Sequence, residues 1–214
     1  MKKTATLLTT GALALAMAPL LAGCNSAPKP AVGSEPAGSA TTQTTPAKHE
    51  VSLADWEGAW NGFNGYLDNP EVAPAFDEVA KRDGKSAEEV KKDFSAKVMC
   101  DFKGIVFKGD TIELLDGFES EGGKPTGKAT YTFKESRTVE HAGYTLEWDV
   151  FTSDDADAPY PVLLLMPVHG EEELVHFHMR YGNDVDELMA KDGWYPTFVK
   201  PNSTIEQIKG EITE

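Results

Sequence analysis

His176 and His178 flank Phe177, and His169 lies seven residues upstream, so three of the chain's five histidines fall within ten consecutive positions. Neutral imidazole is a borderline ligand that suits zinc, copper, nickel and cobalt, and no thiolate stands in the segment to favour copper(I). The flanking stretches, 162–166 and 174–181, read as paired β-strands. Successive strand side chains point to opposite faces, so histidines two apart present both rings on one face. That is a chelating arrangement for a divalent ion.

Strand pairing decides whether His169 joins them. In an antiparallel hairpin, opposed residues share a face, so His169 must oppose an even-numbered residue. Opposite Leu174 it would lie roughly 13 Å along the ladder from His178, at about 3.3 Å per residue. One ion with nitrogen ligands at about 2.0–2.1 Å could not span that. Opposite His176, the connection becomes residues 170–175 and all three rings can converge. Gly170 supplies flexibility there, and Glu171, Glu172 and Glu173 favour solvent. The expected pairing is therefore His169 with His176, or a bulged equivalent, with the rings meeting inside a β-walled cup. The fourth position is open, with water as the default. His49, in the linker, and His141, before a strand, are the remaining imidazoles and read as solvated and turn residues respectively.

The elements that would carry this site follow from periodicity. Ser52 and Asp55 resemble a capping box, and Trp56, Trp60, Phe63 and Leu67 recur at helical spacing, which predicts a first amphipathic helix. Phe76, Val79 and Ala80 predict a short helix ending at Gly84. Ser86 with Glu89 caps a third, running to about Val98. From Phe102 the period becomes two: a hairpin of 104–107 and 111–115 around Gly109-Asp110, then strands 128–133, 144–151, 162–168 and 174–181. Six strands without intervening helices predict an antiparallel meander, and closing it into a barrel or half-barrel removes the exposed edges. Residues 183–190 and 203–209, the latter with a Ser203/Glu206 cap, predict terminal helices. The expected fold is mainly β, an antiparallel barrel with a helical N-terminal cap and C-terminal helices.

Composition sets the compartment. Lys2 and Lys3 precede an apolar stretch, 7–21, followed by Leu21-Ala22-Gly23-Cys24. This resembles a bacterial lipoprotein signal, residues 1–23, with Cys24 acylated after cleavage, anchoring without spanning. Residues 24–50 are Pro-, Ala-, Gly-, Ser- and Thr-rich and cannot bury enough surface to offset chain entropy, which predicts a tether. Residues 51–214 turn globular, as one domain. The expected location is the bacterial cell envelope, lipid-anchored on the extracytoplasmic face of a membrane. A formal net charge of −15 argues against nucleic-acid binding. With Cys24 committed to lipid, Cys100 is left unpaired, reads as a small buried residue, and permits no internal disulfide.

Several segments together resemble the ZinT/YodA family of envelope zinc-binding domains. They are Leu53-Ala54-Asp55-Trp56-Glu57-Gly58-Ala59-Trp60, Tyr66-Leu67, the capped helix of 85–93, His176-Phe177-His178-Met179-Arg180-Tyr181-Gly182-Asn183 and Trp194-Tyr195-Pro196-Thr197-Phe198. The resemblance runs from about Leu53 to Glu214. It implies a calycin (lipocalin-like) fold and a Zn(II) site of two histidines from a His-x-His strand and one from the preceding strand, here His176, His178 and His169. It also implies a link to zinc ABC-transporter binding proteins, to which this domain is fused in Gram-positive relatives. The histidine-rich segment and the disulfide of some members have no counterpart here.

Three histidines and an exchangeable position can serve either catalysis or transfer of the ion to a partner. Catalysis would want a placed general base and substrate contacts. Glu171 to Glu173 read as a solvated turn, so the expectation is a non-enzymatic protein that captures zinc and delivers it to an uptake system. The alternatives are a lipocalin-like carrier of a small apolar ligand and a zinc-dependent hydrolase.

Overall fold

The structure is a computed structural model that describes residues 50–170 and 174–214. The signal, Cys24, most of the tether with His49, and Glu171 to Glu173 lie outside the described residues.

Nine antiparallel strands form one curled sheet: β1 (Gly58–Gly62), β2 (Gly104–Lys108), β3 (Thr111–Leu115), β4 (Pro125–Thr130), β5 (Thr132–His141), β6 (Tyr144–Thr152), β7 (Val162–Leu165), β8 (His176–Gly182) and β9 (Thr197–Val199). Their order across the sheet is β4-β3-β2-β1-β9-β8-β7-β6-β5. The two outermost strands are separated in sequence only by Tyr131, so one bent stretch of chain forms both edges. The result is a half-barrel, mainly β as expected from the period-two pattern.

The simple meander is corrected at its centre. β1 and β9, from opposite ends of the domain, pair with each other and join two meanders of four and three strands. The predicted first helix is instead a 3-10 turn, Leu53–Trp56, followed by β1 and a second 3-10 turn, Phe63–Gly65. Helical spacing of Trp56 and Trp60 has another cause: both fill the principal core, and the Trp60 indole donates to the Trp56 carbonyl oxygen at 2.7 Å. The helices follow β1 rather than preceding the sheet. They are α1 (Ala73–Asp83), closed by Gly84 at φ 69°, and α2 (Ala87–Val98), capped reciprocally by Ser86 and Glu89 as predicted. The predicted strand at 128–133 is the junction of β4 and β5. Helices α3 (Val185–Met189) and α4 (Ile205–Thr213) stand where two terminal helices were expected, but the α4 cap is Thr204 with Gln207 rather than Ser203 with Glu206.

The sheet curls around a cluster in which Trp60, Phe107, Phe177 and Phe198 are almost wholly buried. Trp60 meets Phe177 edge-on at 4.9 Å and Phe198 stacks on Phe177 at 5.3 Å. These rings occupy the space an apolar ligand would need. Truncating such an aromatic costs about 3–5 kcal/mol. Cys100 is buried and free, its thiol donating to the Phe102 carbonyl oxygen at 2.8 Å. A second cluster packs α1, α2 and α4 together with Val199 and Leu174, and a third packs α3 against Trp148 and Leu164.

Candidate metal centre

His169, His176 and His178 come together. Each offers a ligand atom, and these atoms all lie within 4.8 Å of one another. Ring centroids are 4.1 Å apart for His169 and His176, 5.0 Å for His176 and His178, and 5.3 Å for His169 and His178. Nitrogens around a tetrahedral zinc sit about 3.3 Å apart. Small side-chain rotations therefore suffice to close the triad on an ion.

A bulge makes this possible. Along β7 and β8, Leu165 opposes Met179; continued unbroken, that register would set His169 opposite Val175 and turn its ring to the other face. Instead His169 opposes His176, each backbone N–H donating to the other's carbonyl at 2.9 Å. One extra residue is absorbed between Leu165 and His169. Pro167 sits within it, and has no N–H to leave unsatisfied. The shared face is not the one expected. Phe177, Met179 and Tyr181 point into the principal cluster, so the histidines, alternating with them, occupy the opposite face of the sheet. There His169 and His178 line a cleft of about 770 Å³ whose walls include Tyr195, Thr197 and Glu211. His169 is exposed, His178 half-buried and His176 buried.

The hydrogen bonds assign the free nitrogens. His169 Nδ1 lies 2.8 Å from the Pro167 carbonyl oxygen, and His176 Nδ1 2.8 Å from that of Leu174. A carbonyl only accepts, so both Nδ1 atoms carry the proton. His178 Nδ1 lies 2.9 Å from Thr197 Oγ1, which itself donates to the Tyr195 carbonyl oxygen at 2.8 Å. Thr197 is thus left to accept from His178. All three rings are held in one tautomer, with Nε2 unprotonated, the arrangement that orients and strengthens imidazole ligands. Thr197 opposes His178 in the β8–β9 register, so this bond could be found only once β9 was placed.

Electrostatics keep the rings neutral. Burial pushes His178 down to about 3, helped by His176, His169 and Arg180. Burial likewise lowers His176 and His169 below the ordinary histidine value. Arg180, next along the same face, is held by stacking on Trp148 at 4.5 Å and by donating to the Leu188 carbonyl oxygen at 2.8 Å.

Gly170 proves to be more than a flexible link. Its φ is 76°, and a side chain there would run into the Leu174 carbonyl oxygen and come within 2.7 Å of His176 Nδ1. The bond that orients His176 occupies the space a Cβ would need. His141, the last residue of β5, also lines the cleft, 3.6 Å from the Asp192 carboxylate, and is outside the triad.

The sequence signature described as "ZinT (YodA) periplasmic lipocalin-like zinc-recruitment" matches residues 41–214. The chain belongs to the ZinT (YodA) family. Among its relatives, a probable metal-binding protein, YrpE, of Bacillus subtilis (strain 168) is 26% identical over 149 residues, covering 68% of this chain and 57% of that protein. The zinc-binding lipoprotein AdcA of Streptococcus pneumoniae (strain ATCC BAA-255 / R6) is 26% identical over 178 residues, 78% of this chain and 33% of that one. The chain thus spans less than two thirds of either relative's length. In fold it is similar to the crystal structure of the Zn(II)-bound ZinT-like domain of AdcA. The TM-score is 0.60 at 23% identity, covering 78% of this chain and 93% of that domain. Against Zn(II)-bound AdcA as a whole the TM-score is 0.61, covering 76% of this chain and 35% of that protein.

Proposed function

We propose that this ZinT-family chain is an envelope lipoprotein that captures Zn(II) on His169, His176 and His178 and passes it to an uptake system. The observation that carries the reading is the triad itself: three imidazoles, each with Nδ1 engaged, whose ligand atoms lie within 4.8 Å of one another. Their donor set suits zinc, and three protein ligands leave a coordination position for exchange. An exposed His169 gives an acceptor a side from which to approach. Zinc binding in relatives named for it, and the zinc-recruitment description of the family, support the same cargo. Delivery to a zinc ABC-transporter binding protein is what the family resemblance implies, and the zinc-binding lipoprotein AdcA, a longer chain that includes a ZinT-like domain, supports it. Placement at the extracytoplasmic membrane face, with Cys24 acylated, rests on the Leu21-Ala22-Gly23-Cys24 motif. The protein acts by binding rather than turnover.

The test is stoichiometry. Stripped by a chelator and titrated calorimetrically, the unaltered chain should take up one zinc. His178→Ala should take up none, with its circular dichroism unchanged. Binding by that variant at the affinity of the unaltered chain would refute the assignment.

A further inference from the structure

Arg180 carries a buried charge that no acid answers. It lies two residues beyond His178 on β8, on the same face of the strand and about 6.6 Å along it at about 3.3 Å per residue. Only 2% of its surface is exposed. Its Nε donates to the Trp194 carbonyl oxygen at 3.2 Å, and its Nη1 to those of Leu188 at 2.8 Å and Met189 at 3.3 Å, at the C-terminal end of α3. The guanidinium also lies 4.5 Å from the centre of the Trp148 ring and 5.0 Å from that of Tyr195. Carbonyl dipoles and ring faces satisfy a cation without cancelling its charge. Among the described residues no carboxylate pairs with it, and Asp192, whose charge reaches it, is an exposed side chain. A charge this deeply buried ordinarily has a partner of opposite sign. Tyr195 is also a neighbour of the triad, its ring 5.9 Å from that of His178. The cation and the ligand ring therefore stand no farther apart than those two distances to Tyr195 together.

We propose that Arg180 is an affinity-setting residue of the metal centre: its permanent charge opposes the arriving dication and holds zinc loosely enough to be released to an acceptor. This rests on the capture-and-delivery reading above. Removed from water, the charge is screened less at the triad than an exposed one would be. Its bonds to three carbonyls and its two ring contacts pin it, so it cannot swing away when the ion enters. Arginine suits this task, since a buried lysine sheds its proton readily whereas a guanidinium keeps its charge. A purely structural role, holding α3 and Trp194 to the sheet, predicts the opposite sign: substitution would then loosen the site and weaken binding.

Competition titration of zinc against a chromophoric chelator, using the full chain stripped of metal, separates the two roles. Arg180→Met keeps an apolar stem and removes the charge; Arg180→Gln removes the charge and keeps a donor. Each variant that folds by circular dichroism should bind zinc about tenfold or more tightly than the unaltered chain, because a single and a double charge at this range repel strongly even at an effective dielectric of about 20. Zinc release to excess chelator should slow correspondingly. Unchanged or weaker binding in any folded variant overturns the proposal and leaves the triad standing. Failure of both variants to fold also overturns it, since the guanidinium would then serve the fold alone. If the unaltered chain takes up no zinc, both this proposal and the capture reading fall.

Discussion

Replacing Gly170 by alanine tests the link between backbone and metal centre most directly. Gly170 sits at φ 76°, where an L side chain costs about 1–2 kcal/mol, partly offset by about 0.4–1 kcal/mol of lost freedom in the unfolded chain. Gly193, at φ 70° with nothing within 4 Å of a Cβ, shares this backbone term and nothing else. At Gly170 the new methyl also collides with the Leu174 carbonyl and crowds His176 Nδ1, which breaks their hydrogen bond, worth about 1 kcal/mol, and shifts backbone. Gly193→Ala should therefore lose at most about 1.5 kcal/mol in urea unfolding, and Gly170→Ala about 2–4 kcal/mol. Because the broken bond is the one that orients His176, zinc affinity should fall about 10- to 100-fold in Gly170→Ala alone. Equal stabilities for the two variants, or unchanged zinc affinity in Gly170→Ala, would refute the claim that this glycine is required by the ring beside it.

Other outcomes follow from the same site. Thr197→Val keeps the shape but removes the acceptor for His178 Nδ1; zinc affinity measured by chelator competition should drop about tenfold while the fold survives. The metal-free protein should weaken in acid. His178 stays neutral in the fold down to about 3, whereas the unfolded chain protonates it below 6.5, so its neutral state opposes folding increasingly through that window. At about pH 4.5 the loss is about 2–3 kcal/mol, seen as a lower urea midpoint, and a flat midpoint between about pH 6.5 and 4.5 would contradict the burial of this ring. Zinc itself should bind more weakly over the same descent, since protons compete for Nε2, and calorimetry at two pH values checks it.

What the chain announces locally, it announces well. Two histidines two apart on a strand share a face by geometry alone, and the choice of His176 as the partner of His169, made from the reach of one ion, agrees with the bridge between the two residues beyond β7. The α2 capping box and the Gly109-Asp110 hairpin also follow from short-range chemistry. The misses share a physical cause. β1, with glycine at both ends, has little strand propensity of its own, and β9, though built of the strand formers Thr197, Phe198 and Val199, is only three residues long and so shows no period; the two pair with each other across more than 130 residues of chain. β5 carries Lys134, Glu135, Arg137 and Glu140, so its place at the sheet edge erased the alternation by which a strand is recognised. The sequence by itself determined the residue types of the triad and their spacing. Only the tertiary structure decided which face they occupy, that a bulge turns His169 toward the others, and that Thr197 and Gly170 hold the rings, because those contacts join residues whose proximity no local pattern encodes.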